Sequence, residues 1–350
     1  MSIIDLKLKS GKVVRPHKAV ISAQYDTKNI LTHSPWEYVA LWLKRKKNND
    51  AQIFWNQARE FHRAAAGVSL QSAPLLHYYS FLNATKALLA ANKVVFDEHH
   101  GVSEDKKRRR NSKAIKLSNE GVKIRSSGIL PSLSAYFSEE ESRNEYSLKE
   151  ILFNLPYIHR SYCLTYRSQR DMFVPLKNGR FVVNTTSKEA FFTADISNNF
   201  SLKKLAGRLP ASFILDSFSG SRSIRSTSTI QLKSARRVSH DDLKKITLLN
   251  SRIRKDIEYI NATETLWYLK LEEKDPKKIA RTQLTLTLAA MHRLSELCRY
   301  RPVQLSAFMS SQENWLLSEF INSSPNQYID MISSEMTGLE FLIPNIRPAS

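Results

Sequence analysis

Ser72–Asn92 reads SAPLLHYYSFLNATKALLAAN. Leu75, Leu76, Tyr78, Tyr79, Phe81, Leu82, Ala84, Ala87, Leu88 and Leu89 point to every side of a helical wheel, so the spacing predicts a helix with no wet face, central to a domain. Pro74 just inside the start, Ser72 as N-cap and the polar Asn92-Lys93 at the end suit a helix in length and in both termini. A second strongly apolar stretch, Lys277–Arg299, opens at Asp275-Pro276, carries Leu284, Leu286, Leu288, Met291, Leu294 and Leu297, and is stopped by Arg301-Pro302.

Working outward, Ser34-Pro35-Trp36-Glu37 starts one amphipathic helix. Ala51, Phe54, Trp55, Ala58, Phe61 and Ala65 repeat at helical spacing behind Asp50 in the next. Residues 1–30 alternate loosely and read as a short strand or extended arm. From Arg170 the period turns strand-like. Met172–Leu176 and Phe181–Thr185 flank Asn178-Gly179, which predicts a hairpin with a tight turn; Ala190–Ile196, Ala211–Asp216 and the alternation Ile224, Ser226, Ser228, Ile230, Leu232 predict further strands. Helix resumes at His240-Asp241-Asp242, is carried by Leu243, Ile246, Leu249, Ile253, Ile257 and Ile260, and the tail resolves into two short helices, Asn314–Asn322 and Asn326–Met336. The predicted fold class is therefore mainly α with a small antiparallel β insertion (α+β), a helical body built around two buried helices. Its predicted parts are an N-terminal helical half at 1–165 with a basic loop at 97–128, the β insertion at 166–238, and a C-terminal helical half at 239–350 that continues the first body.

The 350 residues hold 53 Lys plus Arg against 33 Asp plus Glu, a formal +20, which favours polyanionic partners, nucleic acid (RNA or DNA) foremost. Lys106, Lys107, Arg108, Arg109, Arg110, Lys113 and Lys116 concentrate that charge and are the predicted nucleic-acid contacts, binding phosphates without sequence specificity. Cys163 and Cys298 stand far apart in no CxxC pattern, which predicts free thiols, no structural zinc and a reducing compartment. No signal peptide or membrane-length apolar run is present, so the expectation is a cytoplasmic protein without a membrane partner.

No P-loop, GxGxxG, HExxH, GxSxG or CxxC motif occurs, which removes the nucleotide, zinc-protease, serine-hydrolase and thiol-redox classes that those signatures announce. Two constellations remain. Tyr79, Asn83 and Lys86 share one face of the central helix, where Asn83 and Lys86 suit an anion such as phosphate. His292, Arg293, Glu296 and Arg299 follow on the second helix. His292 oriented by Glu296, with Arg293 or Arg299 stabilising charge, suits acid-base work on a phosphodiester; an internal ion-pair network is the plainer reading. His99-His100 beside Asp97 and Glu98 reads as a solvated loop, and no metal or other cofactor is expected.

FWNQAREFHRAAAGVSLQSAPLLHYYSFLNATKALLA (Phe54–Ala90) and LAAMHRLSELCRYRPVQL (Leu288–Leu305) resemble the YaaC-like proteins, a bacterial group that pairs a PLLxYYSxLNxxKA helix with a later LSxLxRYxP passage. The matching residues are Pro74, Leu75, Leu76, Tyr78, Tyr79, Ser80, Leu82, Asn83, Lys86 and Ala87, then Leu294, Ser295, Leu297, Arg299, Tyr300 and Pro302. The resemblance implies a helical body and supplies no reaction. More distantly the first half is similar to HEPN-type helical domains, many of them RNases, whose signature sets an Arg before a His with four to six residues between them, a spacing for which Arg236 and Arg237 stand too close to His240. No histidine here has an Arg at that offset. The expected function is binding of nucleic acid or a phosphate-bearing ligand through a basic surface. The alternatives are a metal-independent nuclease using His292, Glu296 and Arg299, or a non-catalytic interaction scaffold.

Overall fold

The computed structural model describes residues 2–106, 114–197, 200–216, 222–236, 238–274 and 276–343. The chain divides into two units, one made of residues 1–33, 172–275 and 338–350, the other of residues 34–171 and 276–337.

The first unit overturns the expectation of a small β insertion in a mainly α fold. Its antiparallel sheet has eight strands among the described residues, in the order Ile257–Ile260, Leu266–Lys270, Phe173–Asn184, Glu189–Ile196, Ser223–Ser226, Phe213–Asp216, with Ile3–Asp5 and Ile230–Gln231 added at the sides. The strands at 213–216, 223–226 and 230–231 follow the alternation read from the sequence.

Two misread stretches enlarged the sheet. Asn178-Gly179 makes no hairpin turn, because Phe173–Asn184 is one continuous strand whose register shifts between Lys177 and Arg180. Asn178 has a φ of +52° there, and its amide donates to Asp195 Oδ2 at 2.8 Å, so the positive-φ signal forms a bulge. The bulge falls where this strand changes edge partner: residues 173–176 pair with Leu266–Lys270, residues 182–184 with Ile3–Asp5, and the sheet curls. The actual hairpin turns at residues 185–188, where Lys188 carries the positive φ.

The helix predicted over 240–260 ends at Ile253, and Ile257–Ile260 is a strand. Ile253, Ile257 and Ile260 satisfy a helical period by coincidence. The break comes where buried Arg254 folds its guanidinium onto the Ile257 carbonyl and over Tyr259 and Trp267. Ser239 caps the helix reciprocally with Asp242, and Ile246, Leu249 and Ile253 pack with Leu6, Phe181, Phe192 and Ile224 in one core.

The second unit is helical, with a three-stranded antiparallel sheet of Val102–Asp105, Gly121–Ile124 and Glu145–Ser147. The stretch 97–128 is therefore not a loop throughout. Helices Pro35–Arg45 and Asn49–Ala65, capped by Ser34 and Asn48, lead into the central helix Ala73–Ala91. That helix is flanked by Asn49–Ala65, Gln283–Tyr300 and Asn314–Thr337, which explains its lack of a wet face. Phe81 stacks on Tyr328 at 4.2 Å between ring centroids, and Thr85 Oγ1 lies 2.6 Å from Tyr328 Oη. The second apolar helix begins at Gln283, where the Thr282 side chain accepts from the Thr285 amide, and not at Pro276. The two expected tail helices are one, Asn314–Thr337. Pro325 lies inside it, where a continuous buried face of Phe320, Ile321, Ser324 and Tyr328 carries the helix through the missing hydrogen bond. No helix among the described residues is long and apolar enough to cross a membrane.

Candidate functional site

The central helix and Gln283–Tyr300 lie in contact, and His100, at the entry to strand Val102–Asp105, packs where they meet. Tyr78 Oη is 2.5 Å from His100 Nδ1; the Tyr78 ring meets His292 edge-on at 5.0 Å, and His100 and His292 lie 5.7 Å apart between centroids.

Glycine shapes this corner. Gly128 has a φ of +112°, and a Cβ there would stand 2.5 Å from His99 Nδ1 and 2.6 Å from the Gly101 backbone. Gly101 has a φ of +72°, and its Cβ would meet Pro131 at 2.3 Å. The carbonyls of His99 and His100 accept from the Ile129 and Leu130 amides, fixing both histidines against helix Ile129–Tyr136.

A cavity of about 690 Å³ opens beside this corner, lined among others by His99, His100, Lys123, Arg125, Ser127 and Asn144. Lys123 is paired with Glu145 at 2.6 Å, whereas the exposed Arg125 has no carboxylate partner among the described residues. His99 Nε2 lies 3.2 Å from Ser127 Oγ and 3.8 Å from Asp97, while His100 turns inward to Tyr78, so the two adjacent imidazoles serve different partners.

Burial holds the His100 imidazole below its ordinary pKa, helped by the charges of Arg299, Lys86 and His99. Tyr78, whose own pKa is raised first by burial, stays a neutral phenol and shares one hydrogen with the neutral ring at Nδ1; in the tautomer in which Tyr78 donates, the imidazole hydrogen sits on Nε2.

Of the residues singled out in the sequence, Lys86 and Arg299 supply charge to this corner. Lys86 is half-buried with its ammonium 5.3 Å over the Phe54 ring; Arg299 is half-buried, stacked 4.9 Å over Tyr300 and bonded from Nε to the Ser295 carbonyl. Neither has a carboxylate partner among the described residues. Asn83 is buried and donates back to the Tyr79 carbonyl at 2.9 Å, and Tyr79 stacks on Phe61 at 5.3 Å, so both engage their own surroundings.

Arg293 is spent internally. Its guanidinium meets Glu120 at 2.6 Å, Glu296 at 2.9 Å and Glu104 at 3.1 Å, and Glu104 also holds Arg301 at 2.9 Å. His292 is 3 % exposed, and its pKa is lowered to about 3, first by burial and then by His100, Arg299 and Arg293. Its Nδ1 is 3.8 Å from a Glu296 oxygen already engaged by Arg293. Lys106 and Lys116 are exposed; Lys107, Arg108, Arg109, Arg110 and Lys113 lie outside the described residues.

Reading the sequence missed Tyr78, His100 and Arg125 as partners of one corner; the only local signal was an aromatic followed two turns later by Lys86 on the central helix. It also missed His159, Cys163 and Asp171. His159 Nε2 lies 3.4 Å from Cys163 Sγ and 3.6 Å from Asp171 Oδ1, and the i, i+4 spacing of His159 and Cys163 was the available sign. Both cysteines are free thiols.

No curated protein and no solved structure matches the chain. The family model described as YaaC-like Protein matches residues 14–336, and nothing in these comparisons supports a HEPN-like relationship. With nearly the whole chain inside that match, the protein belongs to the YaaC-like family.

Proposed function

We propose that this protein binds a phosphate-bearing ligand at the His100 corner, with Lys86, Arg299 and the His100 Nε2–H meeting the anion and Arg125 at the cavity rim extending the contact. The observation that carries this reading is that Lys86 and Arg299 are half-buried cations without carboxylate partners among the described residues, and that both act on the same imidazole. Two cations that no carboxylate answers among the described residues and that both act on one imidazole suit an arriving anion, which each can meet with a charge-assisted hydrogen bond. A nucleic-acid strand is one bearer of such a phosphate, favoured by the formal +20 and by Arg125.

A nuclease working through His292 and Glu296 is less well supported. Acid-base work needs a histidine that changes protonation near neutrality and can reach solvent, whereas His292 is buried and held neutral.

The test is calorimetric titration of the full chain with inorganic phosphate and a mononucleotide, beside fluorescence anisotropy with labelled single- and double-stranded RNA and DNA at stepped salt. Lys86→Met and Arg299→Gln are each expected to weaken binding about tenfold, roughly the loss of one charge-assisted hydrogen bond. Affinity unchanged in the double variant, or no binding of any probe at low salt, ends the proposal.

A further inference from the structure

We propose that His159, Cys163 and Asp171 form a binding site for a divalent transition metal of the zinc type, separate from the His100 corner. His159 and Cys163 stand one turn apart on helix His159–Thr165, and the chain returns after that helix to bring Asp171 against them. One ligand atom from each residue lies within 4.8 Å of the other two, with Nε2 to Sγ at 3.4 Å and Nε2 to Oδ1 at 3.6 Å. Bonds of about 2.0–2.3 Å around a tetrahedral ion place neighbouring donor atoms about 3.3–3.7 Å apart, so both distances from Nε2 already match the spacing that such an ion requires.

The donor set is one imidazole nitrogen, one sulfur and one carboxylate oxygen. Sulfur and imidazole select zinc or cobalt(II) over magnesium and calcium, which take oxygen ligands. The imidazole is the anchored member: its side chain is 7 % exposed, and Phe153 lies 5.5 Å away between ring centroids. Asp171 is 48 % exposed on its side chain, so the fourth position faces solvent, and three protein ligands with one open position describe an exchangeable or reactive metal rather than a closed structural one.

The rival arrangement is a Cys–His–Asp nucleophile triad. That requires thiol and carboxylate to engage opposite ring nitrogens, so that one takes the proton while the other orients the ring. Here both face Nε2. Convergence on a single lone pair is the geometry of co-ligands.

The experiment uses the full chain, stripped with a chelator and titrated with cobalt(II) under reducing conditions, with metal content of the untreated protein measured by mass spectrometry. One equivalent is expected to bind with visible bands of a tetrahedral ion and a near-ultraviolet thiolate-to-cobalt charge-transfer band, both displaced by zinc. Cys163→Ser should abolish the charge-transfer band. Asp171→Asn, at an exposed position that leaves the fold intact by circular dichroism, should weaken binding at least about tenfold. Absence of the charge-transfer band in the natural chain, its persistence in Cys163→Ser, or unchanged affinity in Asp171→Asn overturns the proposal.

Discussion

Tyr78 Oη lies 2.5 Å from His100 Nδ1, joining the central helix to the wall of the cavity. Tyr78→Phe keeps the ring and removes the donor. We expect the fold to be retained and phosphate affinity to fall about threefold to tenfold, the worth of one neutral hydrogen bond that orients the His100 ring. An unchanged affinity by calorimetry would show that the Nε2–H is not the group that meets the anion.

Gly128 allows His99, His100 and Gly101 to close on one another. In Gly128→Ala the backbone at a φ of +112° must strain and the new methyl must displace the His99 ring. We expect a stability loss of about 1–3 kcal/mol by urea denaturation together with weakened phosphate binding. A fully stable variant with native affinity would contradict the described corner.

Glu120 has a fully buried side chain, 2.6 Å from Arg293. Glu120→Ala removes the nearest of three carboxylates around Arg293 and leaves Glu104 and Glu296, so we expect a loss of about 1–3 kcal/mol. Arg293→Met should cost less in that background than alone, because one of its partners is already gone. If the double variant is as unstable as the sum of the singles, the pair is not the coupled unit that its geometry describes.

His292 and His17 are buried histidines whose pKa values are pushed down to about 3, first by burial. Their unfolded forms take up a proton near pH 6.5, whereas the folded forms refuse it down to about pH 3, so stability is intact above about pH 6.5 and falls as pH drops through that window. The slope is up to about 1.4 kcal/mol per pH unit for each group. In His292→Gln, unfolding free energies between pH 7 and pH 5 should decline by about one proton less steeply. An identical slope would mean that His292 titrates normally in the native state.

Much of the helical unit was legible in the sequence. The all-round apolar pattern of Ser72–Asn92 marked a helix surrounded by others, although Ser72 makes no side-chain cap bond there, and Ser34 announced the cap of helix Pro35–Arg45. The sheet was harder, because its strands are assembled from separated segments and two local signals were ambiguous. Asn178-Gly179 supports a bulge as readily as a turn, and Ile253, Ile257 and Ile260 keep a helical period across a helix end. At the candidate site, the helical spacing singled out Lys86 and Arg299, but the partners of Arg293 could not be read. Glu104 and Glu120 flank the basic run in sequence, and only the pairing of strands Val102–Asp105 and Gly121–Ile124 turns them toward one guanidinium. His100 was hidden for a similar reason: its adjacency to His99 suggested a shared loop, and the fold sends the two rings to different tasks.

Each unit is stitched from segments far apart in the chain. Phe341–Leu342 pairs in parallel with Ile30–Leu31, and Gly338 accepts from the Gln24 amide through its carbonyl. During synthesis Ile30–Leu31 must therefore wait, without its partner strand, until about three hundred further residues have been made. Neither unit completes its core early in translation. A chain that closes both cores late leaves apolar segments uncovered in the meantime, which is the state that holdase chaperones protect.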